Sequence, residues 1–558
     1  MRSGAEWCAK RARPSIRHRL LVCFAALAVA GAAGAQDAPD EKTVPSFAEL
    51  EAAGARIGEI RVIAEDIFDL NDPKENNWLF RLANKLHIAT RPEVIRRLLL
   101  FEKGDRVTVQ AIEETERLLR AKHYLYEVSI RPLSYEDGVA DIEVRTRDTW
   151  SLDLGIGISR EGGENKGRFS VKEDNIAGTG ITFGIAYTSD VDRKGVEFNV
   201  ADTNVFGTRG VVAYSYADYN DGNSQSFTLQ RPFYALDARW AAGIGAAEYD
   251  QLTPQYNAGN VIAEYRVRSK SSEAFGGWSP GLISGWTTRY SAGVLYDDKD
   301  YELEPGKAPP TRLPSDLILA GPFLRFEVVE DAFRTDVNLN LIGRVEDFAM
   351  GVQAKLQLGR ALADWGSTRD AWLYDLSVTN GFDITRDSFL QANLRTAGRY
   401  SEEGGENQSV GAAVRYYYRF GRRFVYYAAL SADAVYNPDI PGPLEIGGDN
   451  GLRGYPLRYQ AGEKRVLFTT EARGYTDWYP FRLFRVGGAV FYDVGRAWEG
   501  ENQNTVNPGW LHDVGFGLRL LSARTSKGNV FHADVAFPLV RDPSIDSVQF
   551  LFKTKVAF

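Results

Sequence analysis

From Trp150 to its last residue the chain keeps one texture: short runs in which apolar and polar residues alternate, separated by Gly-rich and polar turns. In DVNLNLIGRV, Val337, Leu339 and Leu341 alternate with Asp336, Asn338 and Asn340. In VGFGLRL, Val514, Phe516, Leu518 and Leu520 alternate with Gly515, Gly517 and Arg519. In FHADVAF, Phe531, Ala533, Val535 and Phe537 alternate with His532, Asp534 and Ala536. A period of two places successive side chains on opposite faces of a sheet. Beyond residue 35 no stretch approaches the roughly 20 apolar residues that a helix needs to cross a bilayer. A membrane role therefore requires strands closed into a barrel, one face toward lipid and the other toward a polar lumen.

The fold class expected is mainly β, a transmembrane antiparallel barrel over 150–558. At about 25 residues per strand with its connection, that length holds roughly 16 strands, with 14 or 18 as the even-numbered neighbours. SSEAFGGWSPG and DKDYELEPGKAPPTRLPSD, both polar and rich in turn residues, are expected to be extracellular loops. The tyrosine clusters at 416–418 and 426–427 suit the aromatic girdles of such a barrel.

The N-terminus supplies a route to the membrane. Arg2, Lys10, Arg11, Arg13, Arg17 and Arg19 precede an apolar run from Leu20 to Ala30, and then Ala33, Gly34 and Ala35. This order is a secretory signal peptide over 1–35, cleaved before Gln36. Both cysteines, Cys8 and Cys23, fall inside it, so no thiol is left for disulfide, metal or catalysis. The whole chain carries a net charge of -8, and loss of the basic signal makes the remainder more acidic. Binding to duplex nucleic acid, which needs clustered positive charge, is excluded.

Residues 36–56 read as a polar leader, and 57–147 as a small α+β domain. Ile57 to Ala64 is a strand. Thr90 with Glu93 makes a capping box for a helix carrying Val94, Ile95, Leu98 and Leu99, stopped by Gly104. A second helix follows Thr108, with Ile112, Leu118 and Leu119 inward. Two alternating strands joined at Asp137-Gly138 complete it as a hairpin. Trp78, Leu82 and Leu86 recur at helical spacing in an extra segment, a stripe that packs on its own domain or touches a membrane or partner.

Three motifs carry the functional reading. In the terminal strand Val548, Phe550, Phe552, Val556 and Phe558 share one face, interrupted only by Thr554, with Gln549, Lys553 and Lys555 on the other. A closed barrel pairs this strand with the first one, near Trp150 to Ile158. GGDNGLRGYPLRYQAGEKR places Arg453, Gly454 and Tyr455 on a compact Gly-rich loop. FYDVGRAW turns Val490, Tyr492 and Val494 toward lipid and Asp493 into the lumen, where a carboxylate needs a cation once loops fill the space.

LRGY, the acidic strand residue of TTEARGY, and FYDVG, in this order and with a terminal Phe558, resemble the BamA/TamA outer-membrane insertase superfamily, which includes the TpsB two-partner secretion transporters. The α+β domain is similar to its periplasmic POTRA module, present here once, and DNIAGTG (174–180) to its early-barrel turn. The resemblance implies an RGY loop folded back into the lumen, with Arg453 held by Asp493 and Glu471 as the second acidic candidate. It implies a weak seam between first and last strands. The implied clients are unfolded outer-membrane or secreted proteins, with outer-membrane lipid as a further partner and periplasmic or lipoprotein partners reached through the POTRA-like domain.

The alternatives are a passive or ligand-specific pore and, less favoured, a barrel hydrolase. His87, His123, His512 and His532 sit in no hydrolase signature, and no phosphate loop or metal-ligand spacing is present. No enzyme activity, cofactor or metal is expected.

Overall fold

The computed structural model describes residues 44–499, 508–525 and 530–555. The expected signal peptide, residues 36–43 of the expected leader, and Val556 and Phe558 of the terminal stripe lie outside the described residues.

The chain up to Asp148 is an α+β layer: α1 Phe47–Ala52, β1 Arg56–Glu65, α2 Trp78–Leu86, α3 Pro92–Arg96, α4 Val109–Arg120, β2 Leu125–Glu136 and β3 Val139–Asp148. The sheet order is β1-β3-β2, with β1 parallel and β2 antiparallel to β3. Asp137 and Gly138 both take positive φ, the conformation that a two-residue hairpin turn demands. Ile57, Ile95, Leu119, Ile142 and Val144 are buried together beneath the helices.

Two local readings change. α1 lies within the segment read as leader and carries its own capping box, in which Ser46 and Glu49 satisfy each other's backbone amides. The Thr90 and Glu93 box does not form: α3 starts one residue later, with Arg91 at the N-cap position making no side-chain cap and Pro92 opening the helix. Thr90 is drawn away by a stronger acceptor, because its amide and hydroxyl both donate to Asp148 Oδ2, at 2.7 and 2.9 Å.

From Leu152 onward the strands close into an antiparallel barrel of twenty strands, not about 16. The expected number came from allowing too much chain per connection. Several hairpins turn in two residues: Glu161 pairs with Glu164 across Gly162-Gly163, Asn257 with Asn260, and Ile283 with Trp286. SSEAFGGWSPG is not a loop but part of the strand Asn260–Ile283. Its glycines mark close packing, since a Cβ on Gly277 would lie 2.5 Å from Ser291 Oγ and 3.1 Å from the Phe233 ring. The second expected loop begins inside the strand Trp286–Leu303 and leaves it at residue 304.

The barrel's faces follow the alternation. Leu154, Val490, Phe516 and Phe550 are exposed outward, while Asp493, Asp513, His532, Asp534 and Leu551 are buried inward. No helix among the described residues is long and apolar enough to cross a membrane.

The α+β layer docks on the connections at one end of the barrel. Asn175 Nδ2 donates to Thr90 Oγ1 at 2.8 Å, Arg209 Nη2 to the Leu99 carbonyl at 2.6 Å, and the Leu236 amide to Glu114 Oε1 at 2.7 Å. Burial raises the Glu114 carboxyl above its usual range, against the pull of that amide and of Gln110.

Candidate functional site

Two segments leave the barrel wall and fill its lumen from opposite ends. The first is 437–463, between the strands Phe424–Tyr436 and Lys464–Tyr475, at the end away from the α+β layer. It contains its own two-stranded ribbon, Leu444–Ile446 with Gln460–Gly462, and Ile446, Leu452, Tyr455 and Tyr459 form a buried cluster with Ala497 and Leu511 of the wall.

Arg453 is the centre of this contact. Its Nε and Nη2 donate to the two oxygens of Asp493 at 2.7 and 2.8 Å, and its Nη1 donates to Glu471 Oε1 at 2.6 Å. The guanidinium carbon lies 3.4 Å from the centroid of the Phe491 ring. Both carboxylates and the arginine are buried. The bidentate fork needs a planar, permanently charged donor, which only arginine supplies. A second reason for a cation here is the wall itself: Asp493 and Asp513 are direct cross-strand partners, an arrangement of like charges that repels. Asp534, on the next strand, adds a third aspartate 3.6 Å from Arg453 Nη1.

The neighbours of Arg453 in the motif have separate tasks. The Gly454 amide donates to Asp513 Oδ2 at 3.1 Å, and a Cβ on Gly454 would lie 2.7 Å from Asp513 Cβ. Only a residue without a side chain brings the backbone this close to the wall. The Tyr455 hydroxyl donates to the His512 carbonyl at 2.7 Å and accepts from the His512 amide at 2.9 Å, so one side chain joins both backbone polar groups of a wall residue.

The second segment is 331–352, a hairpin of Phe333–Val337 with Val345–Ala349. It includes Val337, Leu339 and Leu341, read from their alternation as one face of a wall strand; the hairpin is not part of the barrel. Leu339, Ile342 and Phe348 pack against Phe389, Tyr417, Tyr427, Tyr475, Leu521 and Val530, which belong to one arc of the barrel wall. Glu346 accepts the amides of Leu339, Asn340 and Leu341 at 2.9 to 3.1 Å, holding the hairpin tip in shape. Its other flank is tied to the α+β layer: Arg120 makes a bidentate contact with Asp347 at 2.8 Å, and Arg117 meets Asp331 at 3.1 Å.

Two adjacent wall side chains, Glu471 and Arg473, link the two plugs. Glu471 accepts Arg453 on one oxygen and Arg473 Nε at 2.8 Å on the other, while Arg473 Nη1 donates to the Leu339 carbonyl at 2.7 Å. A continuous polar path thus runs from α4 through the hairpin to the RGY loop. Asp513, Asp534, Arg473 and Arg519, which pairs with Asp534, were not among the residues singled out from sequence. Part of their signal was present: Arg519 and Asp534 are charged residues on the polar face of the alternating runs VGFGLRL and FHADVAF, and Asp513 directly precedes the first of these.

The first barrel strand, Leu152–Glu161, and the last, Gln549–Lys555, form the seam. Among the described residues they share one Cα partner pair, Phe552 with Arg160, supported by an ion pair between Lys553 and Glu161. On its other side the last strand pairs without interruption from Val530–Lys555 to Ala536–Gln549. Phe550 and Phe552 point outward, with Gln549 and Leu551 inward; Val548 lies just before the strand. A lumenal cavity of about 650 Å³ lies beside the seam, lined by Glu161, Lys553 and Thr554 on one side and by Arg453, Asp449 and Glu471 on the other.

The turn of the first strand also touches the loop. A Cβ on Gly162, whose φ is +55, would lie 2.3 Å from the Leu457 amide nitrogen. Gly162→Ala is expected to part the first strand from the loop and cost about 1–3 kcal/mol, read as a lower urea midpoint of the folded barrel; an unchanged midpoint would show that this contact carries no load.

Among the described residues no group of three or more His, Cys, Asp or Glu is placed to hold a metal ion; Asp493, Glu471 and Asp534 are engaged by arginines.

No protein-family model matches the chain, and no curated protein matches it in sequence. Solved structures similar to it include BamA from Haemophilus ducreyi lacking POTRA domains 1–3, at 12% identity over 90% of this chain and 84% of that one, with a TM-score of 0.38. CdiB from Escherichia coli is similar at 12% identity over 91% and 77%, TM-score 0.48, and CdiB from Acinetobacter baumannii at 13% over 90% and 73%, TM-score 0.39.

Proposed function

We propose that the chain spans the outer membrane and inserts proteins into that membrane, or passes them across it, through the seam between its first and last strands. The observation that carries this reading is the seam itself. A barrel in lipid satisfies its backbone groups only through strand pairing, so a junction that shares a single partner pair among the described residues is where the wall parts at least cost. The cavity beside it opens onto the same two strands.

In this reading residues 57–147 are a POTRA-like domain on the periplasmic side. Its sheet order leaves β2 an edge strand, able to accept an unfolded outer-membrane or secreted client by strand addition. The RGY loop and the lumenal hairpin hold the barrel shut between clients, with Arg453, Gly454, Tyr455, Asp493 and Glu471 as the lock. A lumen filled from both ends disfavours a passive pore. No covalent chemistry is involved.

The test is a reversible staple. Arg160→Cys with Phe552→Cys places a disulfide across the paired position of the seam. In cells carrying only this variant, a census of outer-membrane and secreted proteins is expected to show depletion that reductant reverses. A stapled chain supporting the same census as wild type would remove the seam from the mechanism.

A further inference from the structure

The stripe Trp78, Leu82 and Leu86, which by its spacing either packs on its own layer or touches a membrane or partner, is not packed on its own layer. Trp78 is 74% exposed, Leu82 42% and Leu86 65%, with Leu79 and Ile88 exposed beside them. α2 is nevertheless firmly held. Phe80 is buried and stacks on Phe68 at 3.8 Å, Asn77 caps the helix by accepting the Phe80 amide at 3.0 Å, and Asn84 exchanges two hydrogen bonds with the Phe68 backbone at 3.1 and 2.8 Å. The helix thus has two apolar faces, one used within the fold and one displayed rigidly on the outside.

Its position says what the second face meets. The cluster beneath α2 is completed by Trp150 and Leu483. Trp150 stands just ahead of the first barrel strand, and Leu483 directly precedes the strand Phe484–Trp498. Arg524, just past the strand Leu511–Ser522, donates to the Ile67 carbonyl at 3.1 Å and pairs with Glu75. α2 therefore sits at the level where wall strands begin and end, the level of lipid headgroups around a membrane barrel. The connection that supplies Leu483 also exposes Trp478 and Phe481, which extends the apolar patch along the rim. The sequence of α2 contains Arg81 and Lys85 and no acidic residue. At 100° per residue both cations flank the exposed stripe, away from Phe80. Tryptophan and leucine flanked by cations is the composition of a helix that lies in a membrane interface, its apolar side among acyl chains and its cations among phosphates.

We propose that α2, with Trp478 and Phe481, is an interfacial anchor that docks on the anionic phospholipid of the leaflet facing the α+β layer, and so fixes that layer beneath the seam. This rests on the barrel being membrane-spanning. A client polypeptide is the rival occupant, disfavoured because the face is at the rim and continuous with exposed aromatic residues of a barrel connection.

The experiment uses the full chain with Cys8 and Cys23 replaced by serine, refolded into phosphatidylethanolamine–phosphatidylglycerol vesicles that carry doxyl-labelled lipid. An environment-sensitive dye is attached in turn at Leu82→Cys, at Val490→Cys on the outward wall, and at Val139→Cys, at the far end of β3, roughly 30 Å from the rim at about 3.3 Å per residue. The expected result is a blue-shifted dye at Leu82, quenched more by shallow than by deep doxyl groups, with quenching at Val490 and none at Val139. A Leu82 dye that stays unquenched while Val490 is quenched overturns the anchor and leaves the barrel reading standing. A Leu82 dye that shifts only when an unfolded barrel protein is added assigns the face to clients and also overturns it. An unquenched Val490 removes the membrane reading on which the anchor depends.

Discussion

Arg453→Ala is expected to lower the stability of the folded barrel by about 3–5 kcal/mol, the usual cost of breaking a buried ion pair by deleting one partner. The loss is large because the arginine does not serve one carboxylate. Asp493 would lose both hydrogen bonds from Arg453, Glu471 would lose one and keep that from Arg473, and the repulsion between Asp493 and Asp513 would stand with the Gly454 amide facing it. Arg453→Lys should fall between, since a point charge cannot span both oxygens of Asp493 while reaching Glu471. Asp493→Asn should cost less than Arg453→Ala, because Glu471 and Asp534 remain near the guanidinium. Urea titration followed by gel mobility of the folded form ranks the three. A wild-type midpoint for Arg453→Ala would mean that the loop is not held by this contact.

Replacing 333–349 by a short Gly-Ser linker is expected to convert the barrel from small, irregular conductance to a large and steady one. Barrel diameter grows with strand number, and barrels of about 16 to 18 strands already leave an aqueous channel. A lumen of twenty strands is therefore closed by what fills it. At the end bearing the α+β layer, that filling is the cluster of Leu339, Ile342 and Phe348 on inward aromatic residues. Single-channel recording in a planar bilayer reads the change directly. Conductance equal to wild type would place the seal elsewhere, in the RGY loop alone. The polar path from Arg120 and Asp347 to Leu339, Arg473 and Glu471 adds a second expectation: freeing the hairpin should also lower the stability gained through Arg453, because Glu471 then holds an Arg473 that has lost the Leu339 carbonyl.

Much of this was legible in the chain. Alternation assigned Val490 and Phe550 outward and Asp493 inward, as the strands have them, because a period of two is a property of the extended backbone. The Asp137-Gly138 turn followed from the positive φ that those residues tolerate. The pairing of Arg453 with Asp493 and Glu471 was suggested by a motif, and the geometry around it is that of a bidentate contact.

Other features had no local signature. Leu339 alternates with its neighbours as well as any wall residue, yet belongs to a hairpin inside the lumen; alternation reports a strand but not which sheet adopts it. Thr90 had a capping partner three residues away and took Asp148, 58 residues on, because a buried carboxylate outcompetes a solvated cap. Trp78 and Leu82 carry helical spacing whether they face a core or a surface.

Local stereochemistry, repeated along the chain, settled what this protein could be by sequence alone: strands with one apolar face, too polar to cross a membrane in any other form. How many strands close the ring, which loops enter it, and how thinly the first strand meets the last were decided only in the tertiary structure. Each is a sum over contacts between residues far apart in sequence, and no short window of the chain contains both partners.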